Sequence, residues 1–401
     1  MKISGKATLE GTKNYRNKHI DKCAPDHFRT NNELIASSIG IGTYLGEADE
    51  ETNHQVTQAI IECVKQGINL IDSAIIYRQQ QGERSIGKAL RYLIESGYTS
   101  RNELIICTKG GRITEQTVEY INWFNRHYIE NNNSQLSATD LIQNSHCIHP
   151  EYLKDQINLS LENLEVETID VYYIHNPEIQ LLEISLDVFY NRLYAAFEML
   201  ESAIEAGKIA AYGIATWDGL RVPLDHPQHL NLAKIKSIAA EVAGDKNDRF
   251  NFIEFPLNMG MPEALISATQ NVAGELVPVL EAAYRLELTP IASASLYQAQ
   301  VIGRIPKSVI SAIGEIFNSD CQRALQYTRS APGLFSALVG MKKSEHIDEN
   351  LRVKGYSTLT KESFKIATYT IIEALKSMQL ANLDWNFDVS QLSYKTNIFA
   401  G

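Results

Sequence analysis

Four side chains able to move or hold a proton follow three short apolar runs of the chain. The segment Asp72-Ser73-Ala74-Ile75-Ile76-Tyr77 closes the run 68–73, Thr108-Lys109-Gly110 closes 103–108, and Tyr173-Ile174-His175-Asn176-Pro177 closes 169–174. If these runs are neighbouring parallel strands, a carboxylate, a phenol, an ammonium and an imidazole meet at one sheet end. A phenol has an ordinary pKa of about 10 and is a sluggish acid near neutrality. An adjacent ammonium lowers that value, and a carboxylate fixes the ammonium in place. An imidazole beside them can orient a carbonyl oxygen. Such a group is suited to giving a proton to an oxygen that gains negative charge as hydride reaches its carbon. Each residue alone has a plainer explanation. Asp72 and Lys109 could be a structural ion pair, Tyr77 a rim aromatic and His175 a hydrogen-bonded core residue. All four at successive strand ends favour the chemical reading.

The elements that must position them come from alternation. Eight apolar or β-branched runs, 38–44, 68–73, 103–108, 169–174, 209–214, 250–255, 288–292 and 335–339, are separated by stretches of helical spacing. Most are continuously apolar, as parallel strands covered on both faces are. Leu153, Ile157, Leu161 and Leu164 share one helical face, and so do Phe189, Leu193, Phe197, Leu200 and Ile204 before a capping Gly207. The segment 262–286 also reads as apolar at helical spacing. These features favour an α/β chain folded as a (β/α)8 TIM barrel over 38–378, with an N-terminal extension, 1–37, and a C-terminal tail, 379–401, over an open doubly wound sheet, which shares the same alternation. Long loops follow strand 3 (111–150) and strand 7 (297–334), where a barrel shapes access to its mouth. The tail carries Trp385, Phe387, Tyr394 and Phe399, and is expected over or beside the barrel.

Charge narrows the class of partner. The 401 residues carry a net charge of −11 with no long basic run, which disfavours nucleic acid and anionic membranes. No apolar stretch approaches the roughly 20 residues that span a bilayer, and the first residues are polar, so a cytoplasmic location is expected. Five scattered cysteines read as packing residues. The cluster His146-Cys147-Ile148-His149, read as a polar loop before a helix, fits no zinc spacing, and no metal site is expected there.

A cofactor site is expected after the eighth run, where Gly340-Met341-Lys342-Lys343 leads into a helix starting near Ser344, with Glu345 early in it. Backbone amides at a helix start plus two lysines suit a phosphate; an ordinary solvated charge pair is the alternative. No GxGxxG follows any strand, so a Rossmann site is not expected.

Several of these segments together are similar to those of the aldo-keto reductase family. They are GIGTYLG, GINLIDSAIIY, GERSIGKAL and ELIICTKGG, then SLENLEVETIDVYYIHNPE, GKIAAYGIATW and ALVGMKKSEHIDENL, spread over about residues 38 to 351. The resemblance implies a barrel enzyme that moves hydride between NADP(H) and an aldehyde, ketone or alcohol, with Asp72, Tyr77, Lys109 and His175 as catalytic tetrad. It assigns Lys342, Lys343, His346, Glu349 and Asn350 to the adenosine and its phosphate. It implies further cofactor contacts from Gly42, Thr43, Tyr44, Asp72, Thr216, Glu254, Ser293, Ser295, Leu296, Gln298, Gly340 and Met341. Substrate contacts are expected from Tyr44, Tyr77, His175, Asn176 and Trp217.

Three positions depart from the common family pattern. Ala215-Thr216 stands for a Ser-Asn pair at the nicotinamide amide, Glu254 for a Gln, and Ser293 for a stacking aromatic. Two other readings stay open: a regulatory subunit that binds NADP(H) with little turnover, and a biosynthetic alcohol dehydrogenase with one bulky substrate.

Overall fold

The computed structural model describes residues 2–31, 33–114, 118–131 and 134–380. The tail aromatics named above lie outside them. Eight parallel strands close into a barrel in chain order: β1 (Ile39–Gly42), β2 (Leu70–Asp72), β3 (Ile105–Gly110), β4 (Ile169–His175), β5 (Ile209–Ala215), β6 (Phe250–Pro256), β7 (Thr289–Ser293) and β8 (Ser336–Gly340), with β8 paired to β1. Each falls within or beside one of the eight apolar runs. Helices cover the outer face, among them Glu50–Lys65, Gln81–Glu95, Pro150–Asn163 and Leu186–Glu205. The last ends as its sequence suggests: Gly207 takes a left-handed φ of +72°, and its N–H reaches the Ile204 carbonyl.

Two-residue periodicity organises the interior. Leu70, Ile105, Cys107, Val171, Tyr173, Ala211, Phe252, Ile291 and Leu338 pack against one another inside the barrel. Ala7, Leu34, Ala36 and Phe335 belong to the same cluster. The extension is tied down by Ala7 N–H, which donates to Asp170 at 2.6 Å, and by the Tyr15 hydroxyl, which donates to Ile68 O at 3.0 Å. A helix, Leu9–His19, and an antiparallel pair, Phe28–Thr30 with Ile35–Ser37, complete it.

One expectation is overturned. The segment 262–286 is not a continuous helix but a short turn of helix, Glu263–Ile266, a hairpin of Gln270–Val272 with Glu275–Val277, and a helix, Val279–Arg285. Ala273 and Gly274 take left-handed φ values of 53° and 86°, the geometry of a tight hairpin, and Pro278 precedes the final helix. Gly274 and Pro278 were the signals in the sequence; apolar spacing alone concealed them.

Candidate active site

The same alternation that fills the barrel delivers the polar groups to its mouth. Asp72 lies two residues beyond Leu70, Lys109 two beyond Cys107, His175 two beyond Tyr173 and Glu254 two beyond Phe252, so each is the next inward-facing position on its strand. Strand register sets their order around the rim: Gly42 pairs with Asp72, Asp72 with Cys107, Lys109 with Tyr173, His175 with Ala215, and Ala215 with Glu254.

Lys109 is wholly buried, and its charge is met from several sides. Its ammonium donates to Asp72 Oδ1 and, at 2.9 Å, to the Ser73 carbonyl. Glu254 Oε2 lies 3.2 Å from the same nitrogen. The ammonium sits 5.3 Å from the centre of the Tyr77 ring and 5.7 Å from that of Tyr173. Tyr77 in turn meets His175 edge to face at 5.8 Å, and Tyr44 at 5.0 Å. Tyr44 is 55% exposed, which places this cluster at the open end. The four residues singled out from the sequence therefore form one continuous cluster.

Burial governs the protonation of this group. The Tyr77 phenol is raised above its ordinary value, because desolvation outweighs the lowering by Lys109. Lys109 thus moderates the phenol's pKa without bringing it below the ordinary value. Two buried carboxylates beside one ammonium cannot both ionise freely. Desolvation raises both, and Glu254 is pushed up to about 8, with Asp72 as its next cause. Lys109 stays protonated, because Asp72 and Glu254 together overcome the cost of burying it.

His175 is buried, and its Nδ1 has no hydrogen-bond partner among the described residues. Desolvation, then Lys109, holds it well below the ordinary histidine value, so the ring is neutral. Its carbonyl oxygen faces His146 Nε2 at 2.7 Å. A carbonyl can only accept, so Nε2 carries the proton and Nδ1 accepts from Gln180 at 2.9 Å. The 146–149 segment is therefore no polar loop. His146 and Cys147 are buried, and Cys147 packs with Ile113, Phe124, Tyr128, Leu136, Leu141 and Tyr152 in a small core of the strand 3 insertion. His149 accepts from Glu151 N at the start of the helix Pro150–Asn163. Among the described residues, no three His, Cys, Asp or Glu side chains come together to hold a metal.

The loop after β5 is held by a residue that sequence reasoning passed over. Buried Glu178 accepts the backbone N–H groups of Trp217, at 2.7 Å, and Asp218, at 3.1 Å. Trp217 is left 41% exposed. Asn176 takes a left-handed φ of 50° and donates its backbone N–H to Ala215 O at 2.6 Å. The only hint in the sequence was an acidic residue straight after Asn-Pro, which has several plainer uses.

Most of the expected cofactor residues lie along the β7, β8 and β1 side of the mouth, with Asp72, Thr216 and Glu254 at the ends of β2, β5 and β6. Ser293 ends β7; Ser295 is buried, Leu296 half-buried, and Gln298 exposed with φ 51°. Gly340 pairs with Gly42, and Thr43 donates its hydroxyl to Ser73 Oγ at 2.8 Å. Met341 is buried, Lys342 half-buried, and Lys343 exposed as N-cap of the helix Ser344–Leu351. On that helix His346 is exposed, Glu349 half-buried and Asn350 buried. Lys342 leans across Gly46, where a Cβ would come within 3.2 Å of its ammonium. Thr216 donates its backbone N–H to the Glu254 carbonyl at 2.8 Å.

The profile described as "Aldo/keto reductase family" matches residues 38–224, the segment that carries all four clustered residues. Over that segment the chain matches the aldo/keto reductase family. Aldo-keto reductase YhdN of Bacillus subtilis is 26% identical over 190 residues, covering 46% of this chain and 44% of that protein. The NADH-specific methylglyoxal reductase of Escherichia coli is 26% identical, covering 46% and 50%. The chain therefore spans about half the length of these two relatives. A Schizosaccharomyces pombe protein named as a voltage-gated potassium channel subunit beta is 24% identical over 86% of this chain and 92% of its own. Among solved structures, the glycerol dehydrogenase AKR11B4 of Gluconobacter oxydans superposes with a TM-score of 0.59 at 16% identity, covering 93% and 100%. An aldo/keto reductase of Klebsiella pneumoniae in complex with NADP and acetate gives 0.54 at 15%, covering 86% and 95%.

Several buried polar atoms of the chain fit a nicotinamide dinucleotide. The Thr216 and Ser295 hydroxyls and Asn350 Oδ1 are buried without a hydrogen-bond partner among the described residues. Buried polar atoms are rarely left so unless something else is to meet them. All three belong to the residues expected at the cofactor. No described helix is long and apolar enough to cross a membrane.

Proposed function

We propose that this protein is an NADP(H)-dependent oxidoreductase that interconverts an aldehyde or ketone and its alcohol, with Tyr77 as the general acid and base. The observation that carries the reading is the buried Lys109 ammonium, fixed by Asp72 and set against the Tyr77 ring, beside neutral His175. The bound nicotinamide supplies or accepts the hydride. Tyr77 holds the proton destined for the carbonyl oxygen, and Lys109 stabilises the phenolate left behind. Asp72 anchors Lys109. His175 orients the carbonyl as a hydrogen-bond donor. Thr216, Glu254, Ser295 and Asn350 hold the cofactor, with Gly42, Thr43, Ser293, Leu296, Gln298, Gly340 and Met341 along its course. Lys342 and Lys343, with His346 and Glu349, favour the 2′-phosphate of NADP(H). Tyr44, Asn176 and Trp217 meet the substrate. The protein acts in the cytoplasm.

A second reading rests on the fungal channel-subunit relative, which aligns over most of both chains: a regulatory subunit that binds the cofactor with little turnover. Multiple-turnover NADPH oxidation against a panel of aldehydes and ketones, with NADP+ reduction by the matching alcohols, separates the two. Many turnovers per protein on some carbonyl support the enzyme. Tight NADPH binding with no more than a single turnover on every member of the panel rejects it.

A further inference from the structure

The approach of Glu254 to Lys109 is a feature that its role at the cofactor leaves unexplained. A lysine held by one carboxylate is already paired, yet here a second carboxylate, on the far side of the barrel, comes within 3.2 Å of the same nitrogen. Glu254 is buried, and it lies across the lumen from Asp72 rather than beside it: β2 and β6 share no backbone pairing. The titratable groups facing it are Asp72 of β2, Tyr77 of the following loop, Cys107 and Lys109 of β3, and Tyr173 of β4. Burial raises Tyr77, Cys107 and Tyr173, so all three remain neutral, and Lys109 remains charged. The variable charge in this layer is thus the single proton that Asp72 and Glu254 compete for. With that proton, Asp72, Lys109 and Glu254 sum to zero; without it, they sum to −1.

We propose that Glu254 acts as a second counter-carboxylate whose proton occupancy selects the oxidation state of the nicotinamide held at the mouth. The inference rests on the cofactor reading above. For hydride to pass, the pyridine ring would have to lie against a substrate carbon whose oxygen reaches Tyr77, and so beside this layer. Oxidised pyridine carries a positive charge and reduced pyridine carries none. A layer at −1 therefore holds NADP+ more tightly, while a neutral layer has little preference. In a buried site one unit charge at that range shifts relative affinity by about tenfold or more. The adenosine and phosphates are common to both forms, so their own titration cancels in the ratio. The consequence is a site that turns toward alcohol oxidation as pH rises.

The test is the dissociation constant of NADP+ and of NADPH, measured by calorimetry from about pH 6.5 to about 9 on the full chain and on Glu254→Gln. The expected result is a preference for NADP+ over NADPH that grows about tenfold across that range in the native protein and stays flat in the variant. Near neutral pH, NADP+ binding should also expel protons beyond those exchanged with NADPH, seen as a dependence of the heat on buffer ionisation, which the variant lacks. A flat ratio in the native protein, or the same slope in both proteins, overturns the proposal and leaves the cofactor reading standing. If neither nucleotide binds, the cofactor reading falls and this inference with it. Should Glu254→Gln fail to fold, the native ratio and its proton release still decide.

Discussion

His146 donates its Nε2–H to the backbone carbonyl of His175 at 2.7 Å, which ties the strand 3 insertion to the end of β4. Its other ring nitrogen is taken up by Gln180, so neither end of the ring is free to turn. A residue 29 positions earlier in the chain thus braces the strand end that presents the His175 imidazole.

Replacing His146 with Leu should lower stability by about 2 kcal/mol, since His175 O and Gln180 Nε2 lose a partner while buried. Turnover should fall about tenfold, with NADPH affinity within about twofold, because the residues proposed for the adenosine and its phosphate lie at the end of β8 and on the helix after it, away from His146. Burial pushes His146 down to about 3. A depressed histidine contributes stability that is fully present above the unfolded value near 6.5 and is lost as pH falls toward 3. The stability gap between native and variant, from denaturant titrations, should therefore narrow below about pH 6.5. A gap that is constant with pH would contradict the neutral, hydrogen-bonded ring.

Tyr77→Phe removes the phenolic proton and little else, because the ring contacts with Tyr44 and His175 survive. Turnover should fall by roughly three to four decades while NADPH binds about as tightly as before. Steady-state kinetics beside direct binding titration will show whether the two effects separate.

Glu254→Gln should stabilise the protein at alkaline pH. A raised carboxyl keeps its proton in the folded state after the unfolded chain has lost it, so native stability declines as pH climbs from about 4.5 to about 8. The variant has no such loss. Its advantage should grow through that window to the order of a few kcal/mol and level off above it. Melting temperatures at stepped pH, without any nucleotide, provide the check.

Lys342 and Lys343 replaced together by Ala should weaken NADPH by about ten- to a hundredfold and NADH by less than about threefold, if they meet the 2′-phosphate. Equal weakening of both nucleotides would assign the lysines to some other role.

Glu178→Ala frees two backbone amides that now fix Trp217 and Asp218. KM for the carbonyl substrate should rise about tenfold, as in Trp217→Ala, and the double variant should add little beyond either one. Additive losses would mean that Glu178 and Trp217 act separately.

Much of this protein was legible before any tertiary contact was known. Apolar runs, interrupted by helical spacing, mark all eight strands, because a parallel strand covered on both faces must be apolar along its whole length. The positions of Asp72, Lys109 and His175 follow from the same local rule, each one step of the pleat beyond a core residue. The hairpin at Gln270–Val277 was missed because apolar spacing does not distinguish a helix from a short strand pair once a glycine and a proline intervene. Three other features belong to the closed barrel alone: Glu254 reaching Lys109 across the lumen, burial outweighing Lys109 at the Tyr77 phenol, and His146 bracing His175. Periodicity reports which way a side chain points along its own element. Which groups it then meets, and how little water is left between them, depends on closure of strands that lie far apart in the chain.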